Sequence, residues 1–545
     1  MPGSKAFSLF IAAILVTAGA GASIQAAAAS GSSSTPYLSL AVQLANKLHR
    51  YMLDGATGVY YSALSDNWLN VSTTQFTTLG NAFIDEGMVQ LYRATGNHTY
   101  LTWAANSSNR FWERGWDSTN GGFYDVYGAN WSRADCQQVL QDNAMFLVVF
   151  VNLYATNGSA VWLQRANSIE TLLNGRFWST TDNIAEVSYD VCTHQPSGDV
   201  NIEQSIGSYL WATAQWTTTT GNTSYVGRMG RTVSFAMDYL WDNSTNTLMG
   251  GGGCAGAGYQ GFMRSVYANL TRLEDCRKGA NENIWGAVGL AYYSNLEGNA
   301  TVRAVVNRDL AWINRTLWDS SIGGYHNDVF RNDTLRSSCA STNDPRDYPG
   351  WTQGEQPMFW WQIGGILGNT TQMKWALVAE EWTATHQWNS TGGNGGLITC
   401  LDSNALPDPG STELYDWIQG SSLYSFSTLS TTLVLPHSTT TSSSITVTES
   451  TTPSKSSGGT TVVSSASRAT SSVTPSSSTS SVTLTTSITT PAVSTSQTTS
   501  ETASASTTSP TSTLPSSTTY VALIALAVVL GVVTGVLVYR RRSPS

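Results

Sequence analysis

The chain has 545 residues, a formal net charge of −9 at pH 7, 20 tryptophans and 23 tyrosines. The net negative charge argues against nucleic acid as a partner. The six cysteines form no Cys-x-x-Cys motif and no Cys/His cluster, so we expect no metal and no other cofactor.

The first 30 residues are predicted to be a signal peptide. Lys5 precedes an apolar run over residues 7–22, and the small residues that follow suit cleavage near Ala26–Ala29. A permanent N-terminal anchor is the alternative. Cleavage predicts an exported chain whose first domain begins near residue 31.

A repeated pair of helices makes up the domain at residues 31–430. Its clearest copy has an inner helix that begins at Gln141 and is apolar almost all the way round, and then a turn and an amphipathic outer helix. The turn glycine recurs along the chain as Gly96, Gly158, Gly221, Gly298 and Gly368. Residues 38–55 supply an outer helix whose inner partner, residues 414–426, comes last, so the pairs should close into a ring.

The predicted fold class is therefore all-α, an (α/α)6 toroid of six inner and six outer helices. Gly- and aromatic-rich pieces, such as GGFYD at residues 121–125, predict short β-hairpins in the outer-to-inner segments. An open helical solenoid is the alternative, because helix-pair repeats also build open arrays.

N-glycosylation sequons are frequent in this domain, and a glycan requires an exposed loop. The thirteen predicted acceptors are Asn70, Asn97, Asn106, Asn130, Asn157, Asn222, Asn243, Asn269, Asn299, Asn314, Asn332, Asn369 and Asn389. Asn97, Asn157, Asn222, Asn299 and Asn369 fall at the inner-to-outer turns. We therefore expect that end of the ring to face solvent and any pocket to open at the other end.

All six cysteines fall in the outer-to-inner segments, at the end opposite the turn sequons. They are Cys136, Cys192, Cys254, Cys276, Cys339 and Cys400. An even number in an exported chain predicts three disulfides. Cys254 and Cys276 share one segment and are the favoured pair, whereas spacing leaves the other pairings open.

The C-terminal part is predicted to anchor the domain to a membrane. Residues 431–519 are rich in Ser and Thr and should form an extended, O-glycosylated stalk. Residues 520–539 carry no charge and are long enough to span a bilayer, and the basic tail at residues 540–545 orients them toward the cytoplasm. A GPI signal is the alternative. We expect a monomeric, single-pass cell-surface protein with an extracellular N-terminal domain.

Polar side chains collect where the inner helices begin, at the same end as the cysteines. The catalytic candidates are Asp142, Glu203 and Glu355, and the substrate-binding candidates are Gln141, Asn143, Trp131, Asn283 and Trp351. Two carboxyl groups can cleave a glycosidic bond, and amides and aromatic rings can hold a sugar. Helix capping is the alternative for each acid and amide. Asp85 and Glu86 differ, because adjacent acids inside an apolar helix are costly unless they are bonded or functional.

Three stretches resemble known families. LYRATGNHTYLTWAA at residues 91–105 resembles the six-hairpin glycosidase superfamily, and GGFYD at residues 121–125 resembles its N-acylglucosamine 2-epimerase-like branch. The helix start at residues 141–144 is similar to the Asp-Asp-Gln-Ala start in secreted α-1,6-mannanases of glycoside hydrolase family 76. That resemblance implies catalysis by both aspartates, of which this chain keeps Asp142 and replaces the other with Gln141.

The leading hypothesis is a cell-surface glycoside hydrolase that acts on extracellular polysaccharide or glycan. Asp142 would be the general acid, and Glu203 or Glu355 the base or nucleophile. A sugar epimerase or isomerase is one alternative, with His326 as the best-placed histidine base. A non-catalytic carbohydrate-binding surface glycoprotein is the other.

Overall fold

The computed structural model describes residues 36–243, 260–270, 273–339, 345–389, 395–408 and 413–433. Within these ranges no helix combines the length and apolar character needed to cross a bilayer. The predicted signal peptide at residues 1–30 and membrane span at residues 520–539 lie outside them. The last described helix continues to Leu433, past the predicted domain end at residue 430.

Twelve α-helices lie within the described ranges. In chain order they are α1 (Pro36–Lys47), α2 (Thr78–Thr95), α3 (His98–Gly115), α4 (Leu140–Asn157), α5 (Ala160–Gly175), α6 (Ser208–Thr220), α7 (Val226–Phe235), α8 (Ala280–Leu296), α9 (Ala300–Thr316), α10 (Gly350–Leu367), α11 (Thr370–Trp382) and α12 (Asp416–Leu433). Short π-helical turns extend α1 over Leu48–Met52, α7 over Ala236–Leu240 and α11 over Thr383–Gln387, and a further π-helical turn, Ile202–Gly207, leads into α6.

The even-numbered helices form the inner wall of a closed ring. Each packs against the next, and α12 packs against α2, so the last inner helix meets the first. Each of the other inner helices also packs against the outer helix that follows it in the chain. The last inner helix, α12, packs against α1, the outer helix at the start of the chain. The predicted ring of six helix pairs is therefore confirmed among the described residues, and the open-solenoid alternative is wrong.

The inner-to-outer turns combine a left-handed glycine with a capping asparagine. Gly96 and Gly368 adopt φ of 68° and 65°, a conformation that costs glycine little because it has no Cβ. Asn97 and Asn369 then cap the outer helices by accepting hydrogen bonds from the backbone N–H groups of Thr99 and Thr371. Capping is therefore a structural reason for asparagine at these turns, separate from the glycosylation that the sequons predict.

Short strands fill the outer-to-inner segments. They are β1 (Ala63–Ser65), β2 (Val71–Thr73), β3 (Phe76–Thr77), β4 (Val126–Tyr127), β5 (Gln137–Val139), β6 (Trp178–Ser179), β7 (Ile184–Ala185), β8 (Ser188–Asp190), β9 (Gln195–Pro196), β10 (Asp199–Asn201), β11 (Ser265–Tyr267), β12 (Leu273–Asp275), β13 (Arg277–Gly279), β14 (Asp328–Phe330), β15 (Leu335–Arg336), β16 (Tyr348–Pro349), β17 (Cys400–Leu401) and β18 (Glu413–Tyr415).

These strands join neighbouring segments into a second closed circle. The strand that leads into each inner helix pairs antiparallel with a strand of the next segment: β3 with β4, β5 with β8, β10 with β11, β13 with β14, β16 with β17, and β18 with β1. The first residue of each inner helix, or of the π-helical turn that leads into α6, also donates its N–H to the next segment, as when Leu140 N–H donates to the carbonyl of Val187 at 2.9 Å. The circle therefore fixes where each inner helix begins.

Disulfides brace the same end of the ring. Cys136 pairs with Cys192, and Cys339 pairs with Cys400, so each bond links two neighbouring outer-to-inner segments. Cys276 is also disulfide-bonded. Its predicted partner, Cys254, lies outside the described residues.

Candidate functional site

The inner helices begin at one end of the ring, which we call the mouth. The described carboxylates of the mouth fall into two groups. The first group is Asp125, Asp142 and Asp416, and the second is Glu203, Glu282, Asp328 and Glu355. All three predicted catalytic residues are therefore among the acids of the mouth, and sequence reasoning gave no site role to the other four.

The second group includes Glu203 and Glu355. Glu203 Oε1 accepts hydrogen bonds from Asn281 Nδ2 at 3.1 Å and from Gln141 Nε2 at 3.0 Å. Glu355 Oε2 accepts a hydrogen bond from Trp285 Nε1 at 2.5 Å, and the charge of Glu203 raises the pKa of Glu355. The two predicted carboxylates therefore interact, and each has its own hydrogen-bond donors.

Burial makes this group hard to ionise completely. It raises the pKa of Glu282 to about 8, with the charges of Asp328 and Glu203 adding to the effect. Burial and then Glu203 raise the pKa of Glu355 well above its usual range. Glu203 is more exposed than either, and although burial raises its pKa too, the bonds from Gln141 and Asn281 oppose that rise. Glu203 is therefore the member best suited to carry a negative charge.

Arginines compensate part of this charge. Arg264 Nε lies 3.2 Å from Glu282 Oε1, and Asp328 is bridged by Arg277 at 3.2 Å and Arg336 at 3.3 Å. Sequence reasoning missed these arginines because ion pairs between separate segments have no local spacing pattern.

The first group surrounds Asp142, whose side chain is almost completely buried. Its Oδ2 has no hydrogen-bond partner among the described residues. Burial, and then the charge of Asp125, raise the pKa of Asp142 well above its usual range. Asp416 belongs to the same group and accepts from Thr77 Oγ1 at 2.5 Å. Asp142 therefore holds a proton at a pH where an exposed aspartate would have lost it.

Glycine makes room for this group. A Cβ on Gly80 would overlap the carboxylate of Asp416, so only glycine lets α12 approach α2 this closely. The start of α12 can therefore bring Asp416 up to the start of α2, where it accepts the hydrogen bond from Thr77.

Two predicted substrate-binding amides have structural bonds instead. Asn143 Oδ1 accepts from the N–H of Phe123 at 2.8 Å, and its Nδ2 donates to the carbonyls of Phe123 and Val139. Asn283 makes the same three bonds with Phe262 and Gly279. Both side chains are fully buried. Their placement fastens the hairpins to the inner helices and does not favour a role in binding substrate.

The two predicted tryptophans have different surroundings. Trp131 packs against Phe76, Phe111 and Tyr127 in a cluster of rings, with centroid distances of 5.4–5.7 Å. Trp351 lies in the first turn of α10, 5.6 Å from Trp417 in the first turn of α12, and both remain partly exposed. Sequence reasoning missed Trp417, although its place beside Asp416 at a helix start was visible.

Comparisons with known proteins bear on this arrangement. No protein-family model and no curated protein sequence matches the chain. Among solved structures, a D-mannose isomerase aligns with a TM-score of 0.59 and 14% identity over 74% of this chain and 100% of that one. A cellobiose 2-epimerase from Bacillus thermoamylovorans B4167 aligns with a TM-score of 0.58 and 11% identity over 71% and 99%.

A mannosidase of glycoside hydrolase family 76 from Bacteroides thetaiotaomicron VPI-5482 aligns with a TM-score of 0.54 and 12% identity, over 73% of this chain and 98% of that one. These alignments show that the chain shares its fold with the aligned isomerase, epimerase and mannosidase. The resemblance inferred from residues 91–105 is thereby confirmed at the level of the fold, which is as far as identities of this size reach.

His326 contacts residues that belong to neither carboxylate group. Its Nδ1 is 3.2 Å from the carbonyl of Asp347, its ring stacks on Tyr348, and its Nε2 lies 3.6 Å from Asp319. The imidazole is buried. These contacts place it in the packing behind the mouth and do not favour it as a base.

Asp85 and Glu86 are held by structural bonds. Asp85 Oδ2 accepts from Ser108 Oγ of the outer helix at 2.6 Å, and Glu86 Oε1 accepts from Gln90 and Asn152. Burial raises the pKa of Glu86 to about 7 and that of Asp85 well above its usual range. Hydrogen bonds and retained protons therefore reduce the cost of burying two adjacent acids.

Two clusters of the described residues have metal-like spacing. They are Cys136, Asp190 and Cys192, and Cys339, Asp347 and Cys400. The cysteines of both are paired as disulfides, which lack the thiolates that bind metals.

Proposed function

We propose that this protein is a glycoside hydrolase that acts on a polysaccharide or glycan outside the cell. The observation that carries the proposal is the difference between the two carboxylate groups of the mouth. Burial beside other acids raises the pKa of Asp142 well above its usual range, whereas two amides donate hydrogen bonds to Glu203 and oppose the rise that burial causes in its pKa. Cleavage of a glycosidic bond needs one carboxylic acid and one carboxylate.

The roles follow from these protonation states. Asp142 gives its proton to the glycosidic oxygen as the bond from that oxygen to the anomeric carbon breaks. Glu203 either removes a proton from the water that attacks the anomeric carbon or attacks that carbon itself, and in the second case water later hydrolyses the glycosyl–enzyme bond. Glu355, more deeply buried, is held by a hydrogen bond from Trp285 and supports the group from within.

Trp351 and Trp417 are the proposed sugar platform. They lie at the starts of α10 and α12, and Trp417 directly follows Asp416 of the first carboxylate group. Partly exposed indole rings at a mouth can stack on the apolar face of a sugar ring, and Glu203 supplies an acceptor for its hydroxyl groups.

The location remains a proposal from the sequence. A predicted signal peptide, sequons and disulfide-bonded cysteines are expected of an exported chain, and the predicted stalk and span would hold a monomeric domain at the cell surface. Disulfides between neighbouring segments of the described residues support this proposal.

The proposal is tested with the secreted domain, residues 31–433, incubated with a panel of polysaccharides and glycans. New reducing ends in the wild type, lost in Asp142→Asn, would support hydrolysis. Binding without product from any substrate would instead favour a non-catalytic carbohydrate-binding protein.

Sugar isomerisation or epimerisation is the second candidate. The observation in its favour is that an isomerase and several epimerases align with this chain at TM-scores of 0.57–0.59. A carboxylate such as Glu203 could remove a carbon-bound proton in such a reaction. Chromatography of free mono- and disaccharides after incubation separates the candidates, because epimerisation changes a sugar without creating a new reducing end.

A further inference from the structure

A cleft in the outer layer of the ring is lined by α3 and by the π-helical turn that extends α1. Its volume is about 440 Å³, which is within the range of pockets that bind small molecules. The lining includes His49, Tyr60, Trp103, Asn106, Ser107 and Arg110. None of these residues belongs to the carboxylate groups of the mouth, so the cleft is separate from the proposed active site.

Two buried polar atoms of the cleft lack a partner. Tyr60 Oη and His49 Nδ1 are buried and have no hydrogen-bond partner among the described residues, whereas buried polar groups in proteins are nearly always bonded. The imidazole of His49 stacks on the indole of Trp103, with 3.7 Å between the ring centroids, and the indole remains partly exposed. Hydroxyl groups both donate and accept, and a sugar has an apolar face that packs on an aromatic ring, so the cleft suits a sugar.

Asn106 is a predicted glycan acceptor that lies in the lining of this cleft. It is in the middle of α3, not in a loop, and its side chain is exposed and makes no hydrogen bond with another described residue. Trp103 and Arg110 lie three positions before it and four positions after it, so all three side chains share one face of the helix. A sugar attached to Asn106 therefore starts at the edge of the cleft, beside the indole.

We propose that the first sugars of an N-linked glycan on Asn106 lie in this cleft and stabilise the packing of α3 against the π-helical turn of α1. In this modification the amide nitrogen of Asn106 loses a proton and bonds to the anomeric carbon of the sugar, and the pyrophosphate of the activated sugar donor leaves. The inference rests on the predicted export of the chain and is independent of the proposed hydrolase function.

The serine of the sequon gives the order of events. Ser108 is fully buried, and its Oγ donates to Asp85 Oδ2 at 2.6 Å. A transferase that needs this hydroxyl cannot reach it in the folded domain. The glycan is therefore attached before α3 packs, and the chain folds with the sugar already beside the cleft.

The first test measures how well the native fold protects this glycan. The secreted domain, residues 31–433, is produced in a eukaryotic host, and occupancy of Asn106 and of the exposed turn sequon Asn222 is established by mass spectrometry of peptides. An amidase that cleaves between asparagine and the first sugar should release the Asn106 glycan from the native domain at least about tenfold more slowly than the Asn222 glycan. Denaturation should make the two rates equal. An unoccupied Asn106, or native release as fast as from Asn222, would overturn the proposal.

The second test measures stability with and without glycosylation. Asn106→Gln removes the glycan, and because glutamine favours a helix slightly more than asparagine, the change in the polypeptide alone predicts no loss of stability. We expect the melting temperature of the glycosylated domain to fall by about 1–2 °C, and that of the domain produced without glycans to stay the same or rise slightly. The control is Ser224→Ala, which removes the Asn222 sequon from an exposed turn and should leave both forms unchanged. Equal melting temperatures of the glycosylated wild type and Asn106→Gln would contradict the proposal, and so would an equal loss without glycans.

Discussion

Gln141 Nε2 donates a hydrogen bond to Glu203 Oε1 across 3.0 Å, and Gln141 directly precedes Asp142 in the chain. One side chain therefore connects the two carboxylate groups of the mouth. It fixes the start of α4 against the π-helical turn before α6. The proposed acid and the proposed base or nucleophile are thus held by neighbouring positions of a single helix.

Replacing Gln141 with alanine should raise the pKa of Glu203, the proposed base or nucleophile, without unfolding the ring. Burial raises the pKa of Glu203, and the bond from Gln141 is the largest effect opposing that rise. Its loss should raise the pKa of Glu203 and move the acidic limb of kcat/KM to higher pH. Gln204→Ala, next to the same glutamate, is the matched control. An unmoved acidic limb in Gln141→Ala would argue against Glu203 as the base or nucleophile.

Trp351→Ala and Trp417→Ala should each weaken substrate binding. An aromatic contact contributes about 0.5–1.5 kcal/mol beyond area burial, so KM should rise roughly 2- to 10-fold. Trp131→Ala is the contrasting variant, because its ring packs against Phe76 and Phe111 and its loss should lower the melting temperature. Unchanged KM in both platform variants would remove the proposed subsite.

The buried acids predict lower stability at alkaline pH. Burial raises the folded-state pKa of Glu170, Glu282 and Glu380 to about 8, above the unfolded value. Such a group binds protons more tightly in the folded state, so stability should fall as the pH rises from about 4.5 through about 8. Melts from pH 5 to pH 9 measure this. Glu170 and Glu380 lie outside the mouth, and replacing either with Gln should make the melting temperature depend less on pH. A wild-type melting temperature that rises with pH would contradict this prediction.

The turn sequons should be dispensable for activity, since they lie at the end opposite the mouth. Thr99→Ala removes the Asn97 sequon but keeps Asn97 as the helix cap. Asn97→Gln removes both, and the lost cap should cost about 1 kcal/mol in the free energy of unfolding. We expect full turnover in both variants and a lower melting temperature in Asn97→Gln. Lost turnover at an unchanged melting temperature would contradict the placement of the active site at the mouth.

Sequence periodicity predicted the ring because its signals are local. The sequence itself contains the turn glycines, the apolar inner helices and a first outer helix whose inner partner comes last. The contact between α2 and α12 confirms the ring closure that these signals predict. The π-helical turns, such as Leu48–Met52, were missed because they depend on how each outer helix meets its hairpin.

The site was only partly predictable, for a different reason. Asp142, Glu203 and Glu355 are recognisable as acids at helix starts, and Asn143 and Asn283 are equally recognisable as amides there. Only the structure shows that these two amides bind the backbone, whereas the acids lie among other acids of the mouth. Asp125 can be read from the sequence at the end of GGFYD, yet Asp142, whose pKa it raises, lies 17 positions later on another element. A pairing that the fold creates has no spacing rule to reveal it.

The most direct test of the central claim is the initial rate of reducing-end release by the wild type and Asp142→Asn on the same glycan, with melts measured alongside. The variant is nearly isosteric, so the account predicts an unchanged or higher melting temperature and a loss of at least about 10²-fold in turnover. Wild-type turnover in a folded Asp142→Asn protein would contradict the assignment of the general acid.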